Sequence, residues 1–88
     1  MSSQEKNNEL KEAIVLKKHE TEKAYGCMTH VAIHADTKKF RAAMGFEWFS
    51  KKLCQIEDVV IDGRVEYHKI KAPAWLLEKN NVKEPNIY

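Results

Sequence analysis

Apolar positions along this chain change spacing several times, and each change marks a segment. Over residues 9–25, Leu10, Ala13, Ile14, Thr21, Ala24 and Tyr25 recur near helical spacing. Glu, Lys, Leu and Ala dominate there, and Gly26 stands where a C-cap glycine would end a helix. A helix is the expectation. Lys17 and Lys18 interrupt the stripe, and the run Ala13-Ile14-Val15-Leu16 also reads as a strand.

Residues 27–34 alternate. Cys27, Thr29, Val31 and Ile33 share one face of a strand, and Met28, His30, Ala32 and His34 share the other. Asp36-Thr37 then offers an N-cap for a second helix over 38–53, with Phe40, Ala43, Met44 and Glu47 on one side. Gly45 sits inside that helix at a cost of about 1 kcal/mol relative to Ala. If the helix stops there, Phe46-Glu47-Trp48-Phe49 begins a new element.

The clearest element follows. Asp62-Gly63 separates two β-prone runs, and a type I′ turn needs positive φ at both central residues. With that turn, Ile61 opposes Arg64, Val60 opposes Val65, Val59 opposes Glu66, Asp58 opposes Tyr67 and Glu57 opposes His68. Neither hairpin face is cleanly apolar, so the pattern does not say which is buried. Pro73 fits the first position of a short helix presenting Trp75, Leu76 and Leu77, with Asn80-Asn81 at its end. Together these elements predict a small α+β fold in a single domain over 1–88. An antiparallel sheet of about three strands packs its helices mainly on one face, residues 1–8 are flexible, and 83–88 form a tail.

Composition narrows the class. The 88 residues are 43% hydrophobic and 32% charged, which is globular and near the lower limit for a self-sufficient core. Two cysteines, Cys27 and Cys54, fit no disulfide scaffold, and the first residues carry no apolar signal segment. A reduced, cytoplasmic setting is expected, with no membrane span. Net charge is only +2. It concentrates in the centre, where Lys38, Lys39, Arg41, Lys51 and Lys52 face only Asp36 and Glu47.

No catalytic or cofactor motif stands out, and an enzyme is not expected. The three glycines are isolated at 26, 45 and 63, so no phosphate-cradling loop exists. His30 and His34 on one strand lie roughly 13 Å apart, too far for one ion. Cys54 beside Lys51-Lys52, and Cys27 near His30, read as buried, inert thiols. Glu57 and Asp58 point to opposite strand faces and read as hairpin charge pairs.

The remaining signal is basic and aromatic. The central cations flank Phe40, Phe46, Trp48 and Phe49, and Tyr67 shares a predicted strand face with Lys69 and Lys71. Single-stranded nucleic acid is held by cations along its backbone and aromatics beneath its bases. The expectation is RNA or single-stranded nucleic-acid binding through Lys38, Lys39, Arg41, Lys51, Lys52, Tyr67, Lys69 and Lys71, with no cofactor. The alternative is a protein-binding inhibitor or adaptor of the small phage or mobile-element accessory type. The many large apolar side chains of so short a chain also point to a homodimer.

Overall fold

The computed structural model describes residues 9–88; the flexible segment expected at 1–8 lies outside the described residues. In chain order the elements are β1 (Leu10–Glu20), β2 (Ala24–Met28), β3 (His30–Ile33), β4 (Phe40–Met44), β5 (Glu47–Ser50), β6 (Gln55–Ile61), β7 (Arg64–Pro73), α1 (Ala74–Lys79) and β8 (Asn86–Ile87). Five strands form one sheet in the order β5-β2-β1-β7-β6, and three form a second in the order β4-β3-β8. The α+β expectation is therefore corrected. The protein is mostly strand in two sheets, with a single six-residue helix among the described residues and no layer of helices on a sheet.

The first expected helix is the strand β1. Val15 is fully buried in a core with Cys27, Phe49, Cys54, Ile70, Ala72 and Leu76. Its neighbours Ile14 and Leu16 pack against a second core of Val31, Ile33 and Tyr67. Successive strand residues point to opposite faces. A strand buried on both faces must therefore be apolar at successive positions, which produces the unbroken run from Ala13 to Leu16. Apart from the exposed Leu10, the exposed ends of β1 are polar, and they supply the helix-favouring Glu and Lys.

The second expected helix, over 38–53, is replaced by the strands β4 and β5, with Lys51, Lys52 and Leu53 in a turn. Cys27 pairs with Glu47, and His30 pairs with Met44, in the same antiparallel register. The chain thus makes one long hairpin whose arms, β2–β3 and β4–β5, both bend at Thr29 and Gly45. On one side of the bend the hairpin belongs to the large sheet, and on the other to the small one. Gly45 adopts φ +77°, and a Cβ there would stand 2.5 Å from the Thr29 hydroxyl and 2.9 Å from His30 Nδ1. The glycine that looked out of place in a helix is what this corner requires. Of the two faces expected over 27–34, that of Cys27, Thr29, Val31 and Ile33 is buried throughout, and Ala32 is the one buried residue of the other.

The Asp62-Gly63 turn forms as expected, with φ of +54° and +79°. Ile61 pairs with Arg64 and Val60 with Val65. A bulge then shifts the register, so that Val59 opposes Tyr67, Asp58 opposes His68 and Glu57 opposes Lys69. The extra residue is Glu66, whose carboxylate accepts the backbone N–H of Phe40 at 3.0 Å. It thereby satisfies a donor at the start of β4 that no strand reaches.

Pro73 caps α1 from outside, at φ −58° and ψ 141°, and is not its first helical residue. Leu76 is buried in the first core, with Trp75 and Leu77 half-buried against it. The expected tail is laced to the small sheet. β8 runs parallel to β3, Tyr88 N–H donates to Ile33 C=O at 3.1 Å, and Ala35 N–H donates to Tyr88 C=O at 2.7 Å.

Candidate ligand-binding surface

Two aromatic rings stay at the surface because their neighbour takes the core. Phe49 on β5 is fully buried, so Trp48 points to the opposite face and is 47% exposed. Phe46, two residues back, lies beside it at 41%. Both rings rest on the backbone of β2 at Gly26. A Cβ at Gly26 would meet Phe46 Cζ at 2.6 Å and Trp48 Cζ3 at 2.9 Å, so the missing side chain is the space the rings occupy.

His19 completes the cluster from the other side of β2. A bulge in β1 between Lys17 and His19 sets His19 opposite Gly26, and hence on the face that carries Trp48. The imidazole lies 6.5 Å from the Trp48 ring at 34° and 5.9 Å from the Phe46 ring at 72°. Phe46 and Trp48 meet edge to face at 5.3 Å. Trp48 and His19 form a shallow floor, and Phe46 stands as a wall against it. Such a corner offers a flat ligand one face to stack on and one edge to touch.

The eight residues expected to bind nucleic acid fall into three places. Lys51 and Lys52 lie in the turn after β5, at the end of the strand carrying Trp48. That turn sits against the β1–β2 turn, where Lys51 N–H donates to Lys23 C=O at 2.8 Å. Glu22, Lys23, Ser50, Lys51 and Lys52 line a hollow between the two turns. Lys51 is committed, since its ammonium meets Glu20 at 2.6 Å and stands over the Tyr25 ring. Lys17 joins the same carboxylate at 2.9 Å. Hydrogen bonds from Lys51 and Lys17 hold the Glu20 pKa down to about 2.

Lys38, Lys39 and Arg41 lie elsewhere, on the β3–β4 turn and β4. Lys39 pairs with Asp62 at 3.2 Å, and the Arg41 guanidinium stacks 4.1 Å over the Tyr88 ring. Tyr67 is buried, and its hydroxyl donates to Lys38 C=O at 2.9 Å, so its ring offers no stacking face. Lys69 and Lys71 form the third group. Lys69 opposes Glu57, and its ammonium approaches Glu12 at 3.9 Å. Lys71 opposes Glu12 and Gln55. Of the eight, Arg41 stacks on the exposed ring of Tyr88 at the small sheet, and Lys51 and Lys52 lie at the end of the strand that carries Trp48. His19, Gly26, Lys18 and Lys23 were not legible as members of this surface, because the β1 bulge and the pairing of β2 with β5 bring them there.

The other candidate chemistries resolve into structure. Cys27 and Cys54 are free and buried, and burial pushes their thiols up to about 12 and about 11. His30 shares a 2.9 Å hydrogen bond with the Thr29 hydroxyl. No group of three metal-ligating side chains occurs among the described residues. His68 on β7 is buried, flanked by β1 and β6. Its Nδ1 accepts the Lys17 N–H at 3.0 Å, and its Nε2 faces Asp58 at 3.4 Å. Burial lowers its pKa, with Asp58 opposing the shift and Lys17 adding to it. No described helix is long and apolar enough to cross a membrane. Comparison of the chain with protein-family models, curated proteins and solved structures finds no match.

Proposed function

We propose that this protein is a small non-enzymatic, cytoplasmic module that binds single-stranded nucleic acid, RNA in the first instance. The observation that carries the reading is the exposed corner of Trp48, Phe46 and His19, resting on Gly26, at the end of a sheet whose adjoining turns carry Lys23 and Lys52. Bases stack on Trp48 against Phe46. The phosphates run toward the paired turns, about two strand residues or roughly 7 Å away. Lys18, beside His19 on the bulge, and Lys23 and Lys52 form no ion pair among the described residues, so their charges face solvent. Glu22 in the same hollow keeps the local excess modest, which fits a strand binder better than a duplex-DNA binder.

Fluorescence anisotropy with a labelled single-stranded RNA tests this. Trp48→Ala should weaken binding about tenfold or more, since stacking contributes roughly 1–3 kcal/mol per base. Lys23→Gln with Lys52→Gln should weaken binding and flatten the log–log salt slope by about 0.7 per lost contact. Lys39→Gln, at the far turn, should leave affinity within about twofold, since surface charge beyond a Debye length is screened. Absence of wild-type binding at low salt overturns the reading. Tight, salt-insensitive capture of a protein would then favour the inhibitor or adaptor.

A further inference from the structure

At Lys17 the strand β1 leaves one neighbour and changes register with the other. The β1–β7 ladder ends at Val15 opposite His68. The next N–H toward β7, that of Lys17, is taken by a side chain, since it donates to His68 Nδ1 at 3.0 Å. On the other edge Lys17 opposes Cys27 of β2, and the bulge begins with the residue that follows. Lys18 is the extra residue, and His19 therefore falls opposite Gly26. A regular ladder would place Lys18 there and turn His19 to the opposite face, away from Trp48. The imidazole of His68 thus stands in for a strand carbonyl at the point that decides which side chain joins the aromatic corner.

Only a neutral ring can do this. Nδ1 accepts while its lone pair is free, and a proton there sets two donors against each other. The charged groups that face the ring are Lys17 from β1 and Asp58 from β6. Asp58 lies 3.4 Å from Nε2 and favours the charged ring, whereas Lys17, its ammonium held by Glu20, opposes it. Along β7 the Glu66 carboxylate is taken by the Phe40 N–H, and Cys27 across β1 stays a neutral thiol. His68 is buried, so water cannot solvate a charge there without movement of the strand. The bulge, one residue from the Lys17 amide, is the least regular part of that strand and the place to yield.

We propose that His68 is a positioning residue for the aromatic corner. By accepting the Lys17 N–H it holds the bulge that sets His19 beside Trp48, and its protonation releases the bulge and takes His19 off the floor. The two-state element is the register of β1, bulged with a neutral His68 and slipped with a charged one. On the reading of the corner as the ligand surface, this ties RNA binding to pH, strong where His68 is neutral and weaker where it is charged.

Nuclear magnetic resonance on the full chain reads the coupling without a ligand. Nuclear Overhauser contacts between the His19 and Trp48 rings should be present at about pH 7.5. They should disappear, as the Lys17 amide shifts, with the midpoint of His68 itself, below 6.5. His68→Asn offers an amide oxygen in place of Nδ1 and does not titrate, so its ring contacts should persist to about pH 5. Anisotropy with the labelled RNA adds the second readout. Between about pH 7.5 and about pH 5, wild type should lose affinity about fivefold or more relative to His68→Asn, and the comparison cancels every other titrating group. Ring contacts that persist in wild type while His68 is charged overturn the proposal. So does a loss of contacts or of affinity that is equal in wild type and His68→Asn. Wild type that binds no RNA at either pH overturns the nucleic-acid reading instead, and the ring contacts alone then decide the role of His68.

Discussion

His68 is the residue whose protonation bears most directly on this fold. With Nδ1 accepting the Lys17 N–H, the neutral ring carries its proton on Nε2, toward Asp58. Charging it puts a second proton on Nδ1, against the Lys17 donor. Burial holds its pKa below the ordinary 6.5, although Asp58 favours the charged form. The unfolded chain therefore binds this proton at higher pH than the folded one. The associated stability is fully present above about pH 6.5 and is lost as pH falls toward the folded-state value. Urea unfolding between pH 7.5 and 5 should show this slope in wild type and lose it in His68→Gln; a flat wild-type profile refutes the assignment. The exposed Glu20, held down to about 2, acts in a separate window, because its contribution is lost only as pH falls from 4.5 toward 2. Gly63 presents a different case at the same scale. A Cβ there meets nothing within 4 Å, but φ is +79°. Gly63→Val should therefore lower stability by at least about 1–2 kcal/mol through backbone strain alone. An unchanged Tm would rule out the left-handed turn.

Among the elements, β5 and α1 divide the expected core roles differently from the sequence pattern. Trp75 in α1 is large, next to two leucines, and reads as the core anchor of the C-terminal end. The helix has only six residues and gives Leu76 the inward position, leaving Trp75 half-buried. Phe49 in β5 is fully buried instead. Phe49→Ala should cost about 3–5 kcal/mol in chemical denaturation, the usual range for a buried aromatic, and Trp75→Ala distinctly less. The reverse order would place the core elsewhere. The Asp62-Gly63 hairpin was legible because its signal is local, since two residues of the right type fix a turn whatever surrounds it. Its register was legible only as far as Val60 and Val65. The bulge at Glu66 beyond them answers an unpaired donor on β4, a residue 26 positions away.

At the scale of the whole molecule, two cores lie on opposite faces of the five-stranded sheet, and this arrangement misled the pattern reading most. Helical and strand periods are told apart by which positions are polar. β1 is buried on one side by one core and on the other by the second, so its centre has no polar period to read. The Phe46 and Trp48 part of the candidate surface was visible as aromatic residues near lysines. Its remainder was not, because His19 and Gly26 reach it through pairing between strands far apart in sequence. Tyr67 failed as a stacking residue for the same reason. Its polar tip found a carbonyl across the fold, and its ring became core. What the sequence by itself determined is what short-range chemistry settles: the Asp62-Gly63 turn, the alternation from Cys27 to Ile33, the short helix after Pro73 and the buried character of both thiols. The tertiary structure alone decided that residues 9–25 and 38–53 fold into strands and turns and not into helices. It also decided where Gly45 bends the long hairpin and which aromatics remain in solvent. Local preference there is weak on both sides, and burial against distant partners, each strand gaining its ladder only when its neighbour is in place, outweighs it.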